Sequence, residues 1–462
     1  MRRPLGIVLL FLLGAGVAGA AEREAEIWLL DVHLGQTWID NFFLRSAQRS
    51  RETITDANVG LHYSRIEGSS SLGASGWLGA RRYNRFGDLS GPQFGVGASA
   101  VLAPDPRARL RLAGSYAKGL NLTPLLSAVI GLPLTDLQAG SASAAFSYRL
   151  TPDTSADVSL DAIGIRYRAD LLFDTSELFA DSFVPAGPSP GADVSGADVN
   201  PPVVVEPGLL ALSLLASEGI ETQRLDFASW RAHGGVSHDF SPRTRLTFGG
   251  GYRRSYEEPN RFRQGDQQEG QVALRQLLDG TANVSLSYTY QERRSRTEDR
   301  THALTAQLDK ALGPKVRLVT SLGASHLGGP TDRSSSWALI GTAGVSVRLE
   351  RTSFSAQYAR SRYQGFIAGR SLITNLVHAR LAHAMSRNVS ISTFGYYRNA
   401  RDELARQYSY GVTVLGASFG VRVKRRTTAG AWYAFQRFDL GGARPTDRSV
   451  INAYVNYARA LR

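Results

Sequence analysis

Apolar and polar side chains alternate at period two along this chain, segment after segment, in runs of about ten residues, the length of a tilted strand that crosses a bilayer. Val284, Leu286, Tyr288 and Tyr290 point one way in an extended segment, and Ser285, Ser287, Thr289 and Gln291 point the other. Ala142, Ala144, Phe146, Tyr148 and Leu150 oppose Ser141, Ser143, Ser147 and Arg149, and Leu246, Phe248, Gly250 and Tyr252 oppose Arg245, Thr247, Gly249 and Arg253. A soluble β-sandwich alternates as well, so the period alone does not decide the class.

Turn chemistry and loop asymmetry decide it. Short turns recur at Pro104-Asp105-Pro106, Pro152-Asp153, Ser241-Pro242-Arg243, Asp279-Gly280, Gly313-Pro314-Lys315, Glu350-Arg351-Thr352 and Ser386-Arg387-Asn388. Longer charged connections lie between them, including Tyr256 to Gln268, Arg293 to Thr301 and Asn399 to Arg406. Tyr and Trp gather at the strand ends beside the long connections, at Trp38, Tyr83, Tyr116, Tyr252, Tyr290, Tyr363 and Tyr397, where an interfacial girdle belongs. In hydrocarbon every backbone N–H and C=O must find a partner within the protein, and a closed barrel achieves this without edges. The expected fold is all-β: a single transmembrane antiparallel β-barrel of about 18–20 strands, with short periplasmic turns and long extracellular loops. The first three strands are placed near 26–38, 54–66 and 70–83, and slips in strand phase near Gly164 and Gly416 read as bulges.

The chain opens with Arg2 and Arg3, an apolar run from Leu5 to Val17 and the small residues Ala18-Gly19-Ala20. That pattern reads as a secretory signal peptide over residues 1–20, with the outer-membrane barrel over 21–462 and a Gram-negative outer membrane as its destination. There is no Cys, which removes thiolate metal sites and Cys nucleophiles. Net charge is +13, carried almost entirely by Arg. For an exported chain the natural counterparts are outer-membrane lipid, anionic lipopolysaccharide or an anionic solute, not nucleic acid. Residues 169–223 break the pattern: they hold no Lys or Arg, yet contain Asp170, Asp174, Glu177, Asp181 and Glu206, with a Pro/Gly/Ser-rich middle. This acidic loop would either fold into the lumen as a constriction or stand outside and bind cations.

No catalytic, cofactor or metal site is expected. His233, Ser237, His238 and Asp239 lie on one strand, where neighbours alternate faces and cannot form a triad. His378 and His383, five apart, face opposite sides. The informative set is dispersed: Arg109, Arg111, Arg149, Arg245, Arg253, Arg275, Arg317, Arg348 and Arg380 are assigned to the lumen. Arginines on a pore wall lower the barrier to anions; alternatively they pair with acids and hold the barrel's shape.

The segment Leu34-Gly35-Gln36-Thr37-Trp38-Ile39-Asp40-Asn41-Phe42-Phe43-Leu44, followed by the strand-turn-strand of Ile54 to Tyr83, resembles the start of a family of β-barrel porins that includes outer-membrane proteins associated with exopolysaccharide and PEP-CTERM/exosortase systems. The resemblance implies a barrel working as a pore or export conduit for an anionic polymer such as exopolysaccharide, with polysaccharide export machinery as partner. A scaffold barrel with a plugged lumen is the alternative. The last strand ends in Leu461-Arg462, not in the terminal Phe or Trp of many such barrels.

Overall fold

The computed structural model describes residues 25–40, 51–85, 87, 90–119, 136–168, 224–258, 263–294, 298–328, 335–364, 371–402, 409–440 and 445–461. The segment expected to be a signal peptide and the whole acidic loop, with Asp170, Asp174, Glu177, Asp181 and Glu206, lie outside them. The described residues form twenty strands in one antiparallel sheet and no α-helix. The first five are β1 (Ala25–Ile39), β2 (Glu52–Glu67), β3 (Ser70–Tyr83), β4 (Gly91–Asp105) and β5 (Ala108–Lys118). Then come β6 (Asp136–Thr151), β7 (Thr154–Arg168), β8 (Arg224–Ser241), β9 (Thr244–Glu258) and β10 (Arg263–Asp279). The third group is β11 (Ala282–Arg294), β12 (Glu298–Ala311), β13 (Val316–Gly328), β14 (Ser336–Arg348) and β15 (Thr352–Gln364). The last is β16 (Ser371–Ala384), β17 (Val389–Asp402), β18 (Ser409–Lys424), β19 (Thr427–Leu440) and β20 (Thr446–Leu461).

Each strand pairs with its neighbours in sequence, and β1 pairs with β20 from Trp28↔Leu461 to Ile39↔Val450, which closes the barrel. Asp40 fastens the seam beyond β1. Its carboxylate accepts the backbone N–H of Ser449, while its own N–H donates to the Ser449 carbonyl at 3.1 Å. Asp40→Ala is expected to cost about 1.5–3 kcal/mol, the usual worth of a hydrogen bond to a charged group. An unchanged urea midpoint in detergent micelles would show that the seam holds without it.

All the short turns lie at one end of the barrel, and the connections at the other end are longer, apart from 259–262 and 295–297. The short turns carry their own acceptors. Asp105 takes the N–H of Arg107 at 2.7 Å, Asp279 that of Thr281 at 2.7 Å, and Ser241 that of Arg243 at 3.2 Å. Gly68 and Gly313 supply the positive φ (55° and 135°) that their turns require.

Directly paired residues share a face, so the register assigns inside and outside all round. The outward face is a belt of large exposed apolar side chains, of an extent soluble proteins rarely show, with Leu78 at 71%, Leu322 at 69% and Trp337 at 73%. Aromatic rings edge this belt at both ends. Toward the long connections Tyr290, His302, His326 and Trp337 stand in a row across β11–β14, with centroids 5.1, 6.3 and 4.6 Å apart. Toward the short turns Trp28 meets Tyr63 at 4.6 Å, and Phe240 meets His238 at 4.7 Å. On β8, Trp230 and Phe240 belong to opposite edges, about 33 Å apart along the strand. With the usual tilt of about 40° that gives a band of about 25 Å, the hydrocarbon height such barrels present.

Three expectations need correction. Gly164 and Gly416 sit in unbroken register, opposite Gly140 and Phe394. The register shifts fall beside the short turns instead, for example between Leu102 and Asp105. The apparent slips arise because inward-facing residues near those glycines (Ile163, Val412, Val414) are themselves apolar, which blurs the alternation. Tyr83 faces inward and is buried, whereas Trp38, Tyr116, Tyr252, Tyr290 and Tyr397 face outward. Tyr363 lies at the long-connection end of β15, opposite Leu372.

Candidate functional site: the inner wall

All nine arginines stand on the inward face, most of them in register with a polar neighbour. Arg111 pairs with Ala145, Arg149 with Ser155, Arg348 with Ser353 and Arg380 with Ser355. Arg109 pairs with Ser147, Arg245 with Arg275, Arg253 with Gln267 and Arg317 with Ser346. Their height follows from the short turns beside them. Eight of them lie within five residues of the strand end that meets a short turn, and Arg253 alone lies toward the long connections. Arg422 on β18, missed by the sequence reading, faces inward at the same level.

The set divides by partner. Arg245 grips Asp239 with both arms of its guanidinium, Nε to Oδ1 at 2.6 Å and the second nitrogen to Oδ2 at 2.9 Å. Arg317 holds Asp309 in the same way, with Nε to Oδ1 at 2.8 Å. Arg275 donates to Asn283 at 3.2 Å, and Arg253 to the Ser229 hydroxyl at 2.9 Å. Arg245 and Arg317, each paired with an acid, match the shape-holding alternative. Arg111, Arg149, Arg348 and Arg380 are exposed and form no ion pair among the described residues.

Burial changes with height. Near the short turns inward-facing side chains are open to water, as with Ser147, Asp157, Gln307 and Ser346. Toward the long connections they are buried: Glu52, Gln93, Ser255, Arg293, Arg398 and Gln436 are all 8% exposed or less. The inward face is therefore open to solvent near the short turns and packed toward the long connections.

The sector from β20 through β2 has a different character. His33 bridges Asp56 at 2.9 Å and Asn456 at 2.6 Å, and His62 meets Asp31 at 2.6 Å, all on the inward face. Several large inward side chains lie flat on glycines of the next strand: Trp77 on Gly95, Phe394 on Gly416 and Tyr454 on Gly430.

His233 faces inward, near Asp157 at 4.0 Å, while His238 faces outward and bonds Thr154 at 2.9 Å. His378 faces inward opposite Gln357, and His383 outward opposite Thr352. Neither pair converges, and among the described residues no cluster of carboxylates and imidazoles can hold a metal ion.

Closed strand order, apolar belt, paired aromatic edges and polar interior define an outer-membrane-type β-barrel. Solved structures share this fold. The siderophore receptor PirA from Pseudomonas aeruginosa matches with a TM-score of 0.50 at 8% identity, over 95% of this chain and 81% of that one. PirA from Acinetobacter baumannii matches equally, with a TM-score of 0.50 and 8% identity over 95% and 81% of the two chains. The copper transporter OprC matches with a TM-score of 0.50 at 12% identity, over 95% and 82%. No family model matches the chain, and no curated protein matches it.

Proposed function

We propose that this barrel is an outer-membrane transport channel that passes anionic solutes or polymers by diffusion, with no covalent step. The observation that carries the reading is the exposed arginine set Arg111, Arg149, Arg348 and Arg380 on the inner wall, without an ion pair among the described residues. A cation fixed on a water-filled wall concentrates anions and lowers their entry barrier. The solved barrels of the same fold include a copper transporter and siderophore receptors, which favours transport as the class. The resemblance of the Leu34 to Leu44 segment narrows the cargo to an anionic exopolysaccharide. Burial of inward side chains toward the long connections favours a second reading, a scaffold barrel with a filled lumen.

Conductance of the refolded barrel in a planar bilayer separates the two. Stable steps, with a reversal potential of anion preference under a salt gradient, are expected for the channel. A folded, heat-modifiable barrel that never conducts would leave the scaffold.

A further inference from the structure

The rim made by the short turns carries its charge on one side. The turns after β12, β14, β16 and β18 bear Lys315, Arg351, Arg387, Arg425 and Arg426, against one carboxylate, Glu350. Counted with the strand-end residues that flank them, the remaining short turns reverse the balance, with Glu67, Asp105, Asp153 and Asp279 against Arg107 and Arg243, whereas the same count adds Arg348 and Lys424 to the arc. The acids Asp105 and Asp279 close their own turns by accepting backbone N–H groups. The cationic side chains of the arc close no turn in this way. All are exposed, and none forms an ion pair among the described residues. Just inside the arc, Arg348, Arg380 and Arg422 face the lumen and are exposed too.

We propose that this cationic arc is a docking surface for an acidic segment of a soluble protein on the short-turn side of the membrane. Three arguments select that occupant. First, the span fits a polypeptide: four turns, each two strands beyond the last, at about 4.8 Å per strand, cover about 30 Å, far more than a small anion needs. Second, the arc is one-sided, whereas a cargo threading the lumen meets arginines on strands from β5 to β18 and gains nothing from a lopsided rim. Third, lipid phosphates surround the outer wall and do not reach Arg348, Arg380 and Arg422, which extend the arc inward. Neighbouring turns are about 10 Å apart, close to one screening length, so an extended polyanion feels them together. The inference needs the barrel in a membrane with this rim in water; it does not need the lumen to conduct.

The test uses the full barrel in nanodiscs of phosphatidylcholine and a fluorescent polyglutamate peptide. The arc variant K315E/R351E/R387E/R425E is compared with R107E/R243E on the opposite half. Wild type is expected to bind with an affinity that falls as salt rises, the arc variant about tenfold or more weaker, and the opposite-half variant unchanged. Single reversals, each weakening binding a few-fold, and heat-modifiable migration guard against a misfolded quadruple variant. Equal loss in R107E/R243E, or binding indifferent to salt, would overturn the proposal. Tighter binding of a polyuronate of equal charge would pass the arc to cargo, and loss of the peptide to discs containing phosphatidylglycerol would pass it to lipid. Anion preference that persists in the arc variant keeps this result separate from the transport reading.

Discussion

Replacing Arg111, Arg149, Arg348 and Arg380 together with glutamate is expected to reverse the ion preference of the barrel, from anions to cations. Each side chain is exposed on the inner wall and has no ion pair among the described residues, so each reversal reaches the passing ion undiluted by a partner. The same substitutions to glutamine should bring the reversal potential toward zero without changing its sign. Screening sets the conditions. At physiological salt a wall charge acts over about 8 Å, so the inversion grows as salt is lowered. Stability should hardly change, because exposed charges without partners contribute little to it. Arg245 and Arg317 serve as contrasts. Glutamate at either would face Asp239 or Asp309 across a short gap, and those variants should lose stability while moving selectivity less. A quadruple glutamate variant that still prefers anions would remove these arginines from the conduction path.

Much of this wall was legible in the sequence because strand faces and hairpin turns are local properties. Period-two alternation assigned Arg111, Arg149, Arg348 and Arg380 to the same side as Ser143, Ser147 and Ser346, and the cross-strand register places them together there. Alternation fails where both faces are apolar. Val412, Val414 and Val450 face inward yet are buried, which blurs the pattern around Gly416. Long-range partners were beyond reach for a different reason. His33 meets Asn456 across 423 positions of sequence, a contact that exists only once the barrel closes through β1 and β20. The uneven rim lies between these cases. Its residues are plain in the sequence, but their one-sidedness appears only when the turns are ordered round a circle.

The glycines beneath the inward rings support the second large prediction. A Cβ on Gly416 would run into the Phe394 ring and also stand 2.9 Å from the carbonyl oxygen of Tyr433. The ring can swing away, but the backbone cannot. Gly416→Val should therefore cost about 2–3 kcal/mol, the scale of an overpacked site. Adding Phe394→Ala should recover only part of that, since the Tyr433 carbonyl stays where it is. Gly95 makes the control. The three atoms nearest its added Cβ all belong to the Trp77 ring, including Cε2 at 2.7 Å. Gly95→Ala should cost under about 1 kcal/mol, with the indole displaced away from the wall. The measurements are urea midpoints in micelles for both sites and tryptophan emission for Gly95→Ala, expected to shift to the red. If Phe394→Ala restored Gly416→Val completely, the ring alone would set the cost. Full independence of the two substitutions would mean that ring and glycine do not touch, because side chains in contact do not add.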